Sequence, residues 1–189
     1  IAGFPVLDGI VVDGVLDIPY FYEHNVNMNG KWGNFYICTQ DEEPCPICEG
    51  GLYASYVGVL SVIDHSSYVS KKDNKTYKDQ VRLFVAKRET IKALTVLAAK
   101  RGGLAGWRVD VSRTGDKSPS VGNVFDFLHH QTPPQIGTLY GAEAQPFDYD
   151  KILGEMYMSA KELRKLGFGS GSAPIGSESA SPDDYANSL

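Results

Sequence analysis

Long apolar runs, catalytic signatures and paired cysteines are what this sequence has least of. No stretch approaches the roughly 20 apolar residues of a membrane helix, and Ile1–Val12 has neither a basic leader nor a small-residue cleavage site. The expectation is a soluble protein of the cytoplasm, not secreted and with no membrane partner. Three cysteines cannot close a disulfide set, and two of them stand as Cys45-Pro46-Ile47-Cys48, which favours metal ligation in a reducing compartment. Walker, Gly-x-Ser-x-Gly, His-Glu-x-x-His and Rossmann motifs are all missing; Gly167-Phe168-Gly169 has no strand before it. These absences point to a binding protein rather than an enzyme.

The 189 residues, 42% apolar and 22% charged, fit one ordinary globular domain with a tail. The net charge of −5 hides an uneven distribution, because Lys71–Lys117 holds 13 Lys and Arg against 5 Asp and Glu. A basic segment in an otherwise acidic chain suits a polyanionic partner.

Several strands are legible. Tyr20–His24 and Asn34–Cys38 flank the tight-turn dipeptide Asn29-Gly30, and Ile10–Leu16 reads as a strand or a hairpin around Asp13-Gly14. Leu52–Ile63 is rich in β-branched and aromatic residues and predicts a central strand; Val81–Ala86 predicts a second, beyond the polar loop at Lys71–Lys75. Helical spacing follows over Arg88–Arg101, closed by Gly102-Gly103, and alternation resumes over Gly106–Ser112 and Val121–Leu128. Strands interrupted by one helix suggest an OB-fold barrel within a mainly β chain with some α, other small barrels and α+β sheets being the alternatives. Helices are expected at Ile136–Tyr140, Tyr149–Tyr157 and Ser159–Leu166, the last opened by a capping box. The reading divides the chain into an OB core at 1–133 with a metal subdomain at about 20–52, a helical extension at 134–168 and a disordered, weakly acidic tail at 169–189.

Two constellations carry chemistry. Cys38, Cys45 and Cys48 supply three thiols within eleven residues, and the Cys-x2-Cys turn sets two sulfurs at the separation a tetrahedral Zn²⁺ needs. The fourth ligand is open at this point: His24 lies across the predicted hairpin, His65 competes, and His129 and His130 are more distant. Four protein ligands would leave no position for substrate water, making such a zinc structural. The second constellation interleaves Tyr56, Tyr68, Tyr77, Phe84 and Trp107 with Lys71, Lys72, Lys75, Arg82, Lys87, Arg88, Arg108, Arg113 and Lys117. Single-stranded nucleic acid is held by this combination, bases on rings and phosphates on cations, although alternation sends about half of the rings inward and singles out Phe84 or Trp107 as core. Asp64-His65 reads as an acid/base pair or, more commonly, as a turn cap beside a surface histidine. Asp41-Glu42-Glu43 forms an acidic loop able to hold a hard cation.

The run His24…Cys38…Cys45-Pro46-Ile47-Cys48, followed by Tyr56-Val57-Gly58-Val59-Leu60-Ser61-Val62-Ile63-Asp64, resembles the single-stranded DNA-binding proteins of tailed bacteriophages, those of T-even type included, over about residues 18–128. The resemblance implies one structural zinc on His24, Cys38, Cys45 and Cys48 beside an OB-fold. It also implies a basic, aromatic cleft with Tyr56, Arg82, Trp107 and Arg108, and a non-catalytic role coating and protecting single-stranded DNA in replication, recombination and repair. Replication proteins would be recruited through the acidic tail. Ile1–Glu23 departs from the family's basic arm, having no Lys or Arg. The competing reading is a zinc-stabilised nuclease or polymerase accessory subunit.

Overall fold

A computed structural model describes residues 4–6, 9–12, 15–70, 73–112 and 124–169. The chain is mixed α/β and mostly sheet. In order it forms β1 (Phe4–Pro5), β2 (Ile10–Val12), β3 (Val15–Asp17), β4 (Tyr20–Met28), β5 (Lys31–Ile37), α1 (Pro46–Glu49), β6 (Ser55–Asp64), β7 (Tyr68–Val69), β8 (Thr76–Tyr77), β9 (Gln80–Lys87), α2 (Arg88–Arg101), β10 (Trp107–Ser112), β11 (Val124–His130), α3 (Pro133–Tyr140), α4 (Tyr149–Met156) and α5 (Ala160–Lys165). Two compact units share these elements. One holds residues up to Pro19 and those from Gly58 to Phe147; the other holds Tyr20–Val57 and the described residues from Asp148 on.

In the first unit β6 is buried without a break from Gly58 to Ile63, which is why it reads as a continuous apolar run rather than an alternating one. It pairs with β9, and the chain then enters α2, which buries Ile91, Leu94 and Ala98 and packs on β2, β3 and β9. Gly102 takes the left-handed conformation at φ 73° and ends the helix, as glycine does at this position without a Cβ penalty. Gly106 is required for a second reason: at φ +82° a Cβ there would lie 2.4 Å from the Gln131 carbonyl oxygen. β10 pairs with β1 on one side and β11 on the other.

The expected barrel is not what the described strands make. β10 and β11 continue into β1, and the contact from this sheet's side to β6 is the isolated bridge Val6–Val62, so the sheets do not close. The short β7–β8 ladder, Tyr68 opposite Tyr77, brackets the polar loop anticipated at Lys71–Lys75. The strand expected from Leu52 begins instead at Ser55, because Tyr53 stands 96% exposed before it.

In the second unit β4 and β5 form a hairpin longer than the sequence suggested. Asn29 at φ 55° and Gly30 at φ 78° supply the two left-handed residues of its tight turn. The core is small: Val26, Cys38, Cys45, Ile47, Leu163 and Phe168. Leu163 and Phe168 come from α5 and the turn after it, so the C-terminal helices complete the same core as the cysteines. Polar contacts fasten this closure. The Tyr157 hydroxyl donates to Glu42 Oε2 at 2.8 Å, the Ala160 N–H to Glu43 Oε1 at 2.6 Å, and Arg164 reaches both Glu49 oxygens at 3.1 and 3.2 Å. The tail beyond Gly169 lies outside the described residues.

Candidate metal centre and nucleic-acid interface

The β4–β5 register sets Glu23 opposite Ile37, and the Cys38 N–H donates to the Tyr22 carbonyl at 2.8 Å. Cys38 is thereby placed at the strand end nearest His24. Past an exposed bend, Cys45 caps α1 and Cys48 lies within it, with Pro46 preset for the first helical turn. The His24 ring reaches Cys45 Sγ at 3.5 Å and Cys48 Sγ at 3.6 Å through Nε2, and Cys38 Sγ lies 3.6 Å from Cys48 Sγ. All four donor atoms fall within 4.8 Å of one another.

The three separations near 3.5 Å match the edges that a coordination tetrahedron would have. With Zn–S of about 2.3 Å and Zn–N of about 2.0 Å, S···S edges come to roughly 3.8 Å and S···N edges to roughly 3.5 Å. His24 is fully buried and Cys48 half-buried. Burial holds the His24 imidazole below its usual pKa, against a weaker opposing pull from the Tyr53 backbone, and so keeps it in the neutral form that ligates. The Cys45 thiol is pushed up by burial, but hydrogen bonds from the backbone of Cys48, Thr39 and Ile47 outweigh this and leave it lowered. Burial and the two neighbouring thiols raise Cys48 to about 12. A bound dication would reverse that last effect, because it compensates the thiolate charge that the bare cluster cannot. The four residues could hold a metal ion, and they are the one such cluster among the described residues.

The other candidate ligands and acids have different employment. His65 is in the first unit, where Nδ1 contacts the Asp79 carboxylate and Nε2 the Tyr140 hydroxyl at 3.2 Å. It is a tied histidine, not the surface one expected. Asp64 caps the turn, accepting from the N–H and Oγ of Ser66. Glu42 and Glu43 hold the C-terminal helices rather than a hard cation. His130 lies against Trp107 and reaches the Ala105 carbonyl.

The aromatic and basic residues separate into three groups. Tyr68 and Tyr77 stack at 5.5 Å with planes 19° apart, and the Arg82 guanidinium lies over Tyr68 at 5.0 Å, with Lys75 exposed on the same hairpin. Tyr68 remains 43% exposed. Phe84, by contrast, is a core ring, buried and edge-on to Phe125, whereas Arg82 two residues earlier on β9 is exposed; Phe84 is removed from the candidate interface. Trp107 is half-buried between Phe127 and His130 at the β10–β11 ladder. Tyr56 sits in the unit of the cysteine cluster, stacked on Tyr20 at 5.7 Å and tilted against Tyr22 at 5.2 Å, so its ring already has partners. Arg88 is exposed at the start of α2, while Lys87 and Arg108 are half-buried. Lys71, Lys72, Arg113 and Lys117 lie outside the described residues.

Two features were not read from the sequence. Arg101 lies over the Phe127 ring at 4.0 Å and the Trp107 ring at 5.7 Å, a meeting of α2 with β11 that no local pattern encodes. Tyr22 and Tyr53 line a groove beside the cysteines. No helix in the described residues is long and apolar enough to cross a membrane. Comparison with protein families, with curated proteins and with solved structures finds no match to this chain.

Proposed function

We propose that this chain is a non-catalytic single-stranded DNA-binding protein, coating and protecting single strands in phage-type replication, recombination and repair, and folded around one structural zinc. The observation that carries the reading is the Tyr77–Tyr68–Arg82 stack, with Tyr68 and Arg82 exposed, where the basic segment begins. A base can extend such a stack or lie against the guanidinium, while Lys75 and Arg88 offer charge to the phosphates. The element order β6, β9, α2, β10, β11 supports kinship with the OB-fold. The His24, Cys38, Cys45 and Cys48 donor set, rich in sulfur and gathered within 4.8 Å, supports zinc, and four protein ligands would leave it an organising role.

Titration with single- and double-stranded oligonucleotides over a range of salt tests the reading. Preference for single strands is expected, with log K falling at about 0.7 per phosphate contact against log salt. Equal affinity for duplex would overturn it. Cleavage of the single strand in Mg²⁺ would instead establish the nuclease reading.

A further inference from the structure

We propose that the groove beside the metal cluster is a recognition site for a cationic side chain, arginine above all, of a partner protein. The groove encloses about 690 Å³ and is walled by Tyr22, Tyr53, Gln40 and Asp41 together with the sulfur-bearing edge at Cys38 and Cys48. Its most unusual member is Tyr53, 96% exposed. An aromatic ring left in water presents an unused π face, and a planar guanidinium stacks on such a face while its N–H groups remain free for a carboxylate. Asp41 supplies that carboxylate from the same wall, itself exposed.

Charge selects among the possible occupants. No Lys or Arg lines the groove, and Tyr20–Val57 contains five carboxylates against the single Lys31. With a dication held there, three thiolates and a neutral imidazole would leave a further negative charge at Cys38 and Cys48. A phosphate would be repelled by Asp41 and find no cation to pair with, and an apolar side chain would desolvate Asp41 without compensation. A cation meets two tyrosine rings and an acid. This inference is separate from the DNA-binding reading, which rests on the basic segment of the other unit.

The test is an amide-resolved NMR titration of the full, metal-loaded chain with the peptide acetyl-Gly-Arg-Gly-amide, alongside its citrulline counterpart, which has the same shape without the charge, and with neutral deoxyadenosine. Saturable shifts are expected at Gly51, Leu52, Tyr53 and Ala54 with the arginine peptide, and affinity for citrulline weaker by about fivefold or more. Asp41→Asn and Tyr53→Ala, both at exposed positions, should each weaken the arginine peptide about threefold to tenfold and leave single-stranded DNA affinity within about twofold. Equal response to citrulline, absence of shifts at these amides, or deoxyadenosine moving the same amides more strongly would each overturn the proposal, the last assigning the groove to a base. Loss of DNA binding in wild-type protein would count against the DNA reading alone.

Discussion

The two units of this protein solve the problem of burial by different means. The first builds its core from long apolar elements: the unbroken Gly58–Ile63 stretch of β6, the Ile91, Leu94 and Ala98 face of α2, and Val109 and Val111 of β10 are all buried. The second has about 60 described residues and a core cluster of six, of which two are the candidate metal ligands Cys38 and Cys45. A unit of that size rarely stabilises itself by apolar burial alone and commonly relies on a metal or a cross-link. Charge divides the same way, the basic segment Lys71–Lys117 belonging almost wholly to the first unit and the carboxylate-rich Tyr20–Val57 to the second. The contrast teaches that one chain can build one unit on continuous apolar elements and another around a compact cluster of polarisable side chains.

The sharpest way to break the comparison is to remove the metal. Chelation, or Cys48→Ser, should unfold the second unit, since the binding free energy of a structural zinc is folding free energy and amounts to about 10–16 kcal/mol in small zinc modules. The β6 and α2 amides of the first unit should keep their hydrogen-exchange protection. Stoichiometric metal lost with no change in the hairpin's protection would show that the six-residue core suffices.

Next in size is Leu163→Ala. Leu163 is fully buried against the cysteine-bearing core, and truncating such a leucine costs roughly 2–5 kcal/mol depending on how far the cavity collapses. Because it packs with Cys38 and Cys45, the loss should also appear as weaker zinc retention against a competing chelator. A melting temperature lowered without faster metal loss would separate α5 from the metal centre.

The metal quartet was legible because its signal is short in sequence: a Cys-x2-Cys turn, a third cysteine at the end of one strand, and a tight turn at Asn29-Gly30 that brings His24 across. What local pattern could not decide was the choice between His24 and His65. That was settled by the β4–β5 register on one side and by Asp79 and Tyr140 on the other. The docking of α4 and α5 was equally hidden, since the bonds from Tyr157, Ala160 and Arg164 to Glu42, Glu43 and Glu49 span 115 to 117 residues. In β9, alternation puts Arg82 and Phe84, two residues apart, on one face, and so could not tell that burial changes along the strand, leaving Arg82 exposed and Phe84 buried. Barrel closure failed as an expectation because strand order in a sheet is a long-range choice that propensity does not record.

That separation in β9 yields a smaller prediction. Tyr68→Ala should weaken single-stranded DNA binding by roughly 1–3 kcal/mol with an almost unchanged salt slope, since stacking releases no counterions. Arg82→Ala should lower the slope by about one contact's worth. Phe84→Ala should act on stability instead, by roughly 3–5 kcal/mol, and Tyr56→Ala, its ring already engaged by Tyr20 and Tyr22, should change DNA affinity least. Tyr56 proving more damaging than Tyr68 in a titration would move the contact surface to the acidic unit and erase the division of labour.

The smallest expected effect lies at the helix that completes the core of the second unit. The Ser159 hydroxyl donates to Glu162 Oε2 at 2.7 Å and the Ser159 N–H donates to the same oxygen at 2.9 Å, while the Glu162 N–H returns to Ser159 Oγ at 3.4 Å. These bonds favour the charged carboxylate, the hydroxyl more than the backbone, and hold the Glu162 pKa below its ordinary value. A carboxylate whose folded pKa is depressed contributes stability above its unfolded pKa and loses that contribution as pH falls through the folded one. Ser159→Ala removes the larger of the two donors and leaves the N–H in place. The Glu162 carboxyl, followed by its side-chain carbon resonance, should therefore titrate at higher pH in the variant, though still below an unperturbed glutamate. The variant should melt slightly below wild type at pH 7, and the contribution of the box to that gap should fade once both proteins have Glu162 protonated. An unchanged Glu162 titration in Ser159→Ala would show that the backbone N–H alone sets the shift, and that the first turn of α5 is anchored by Glu43 and the Leu163 core rather than by its capping box.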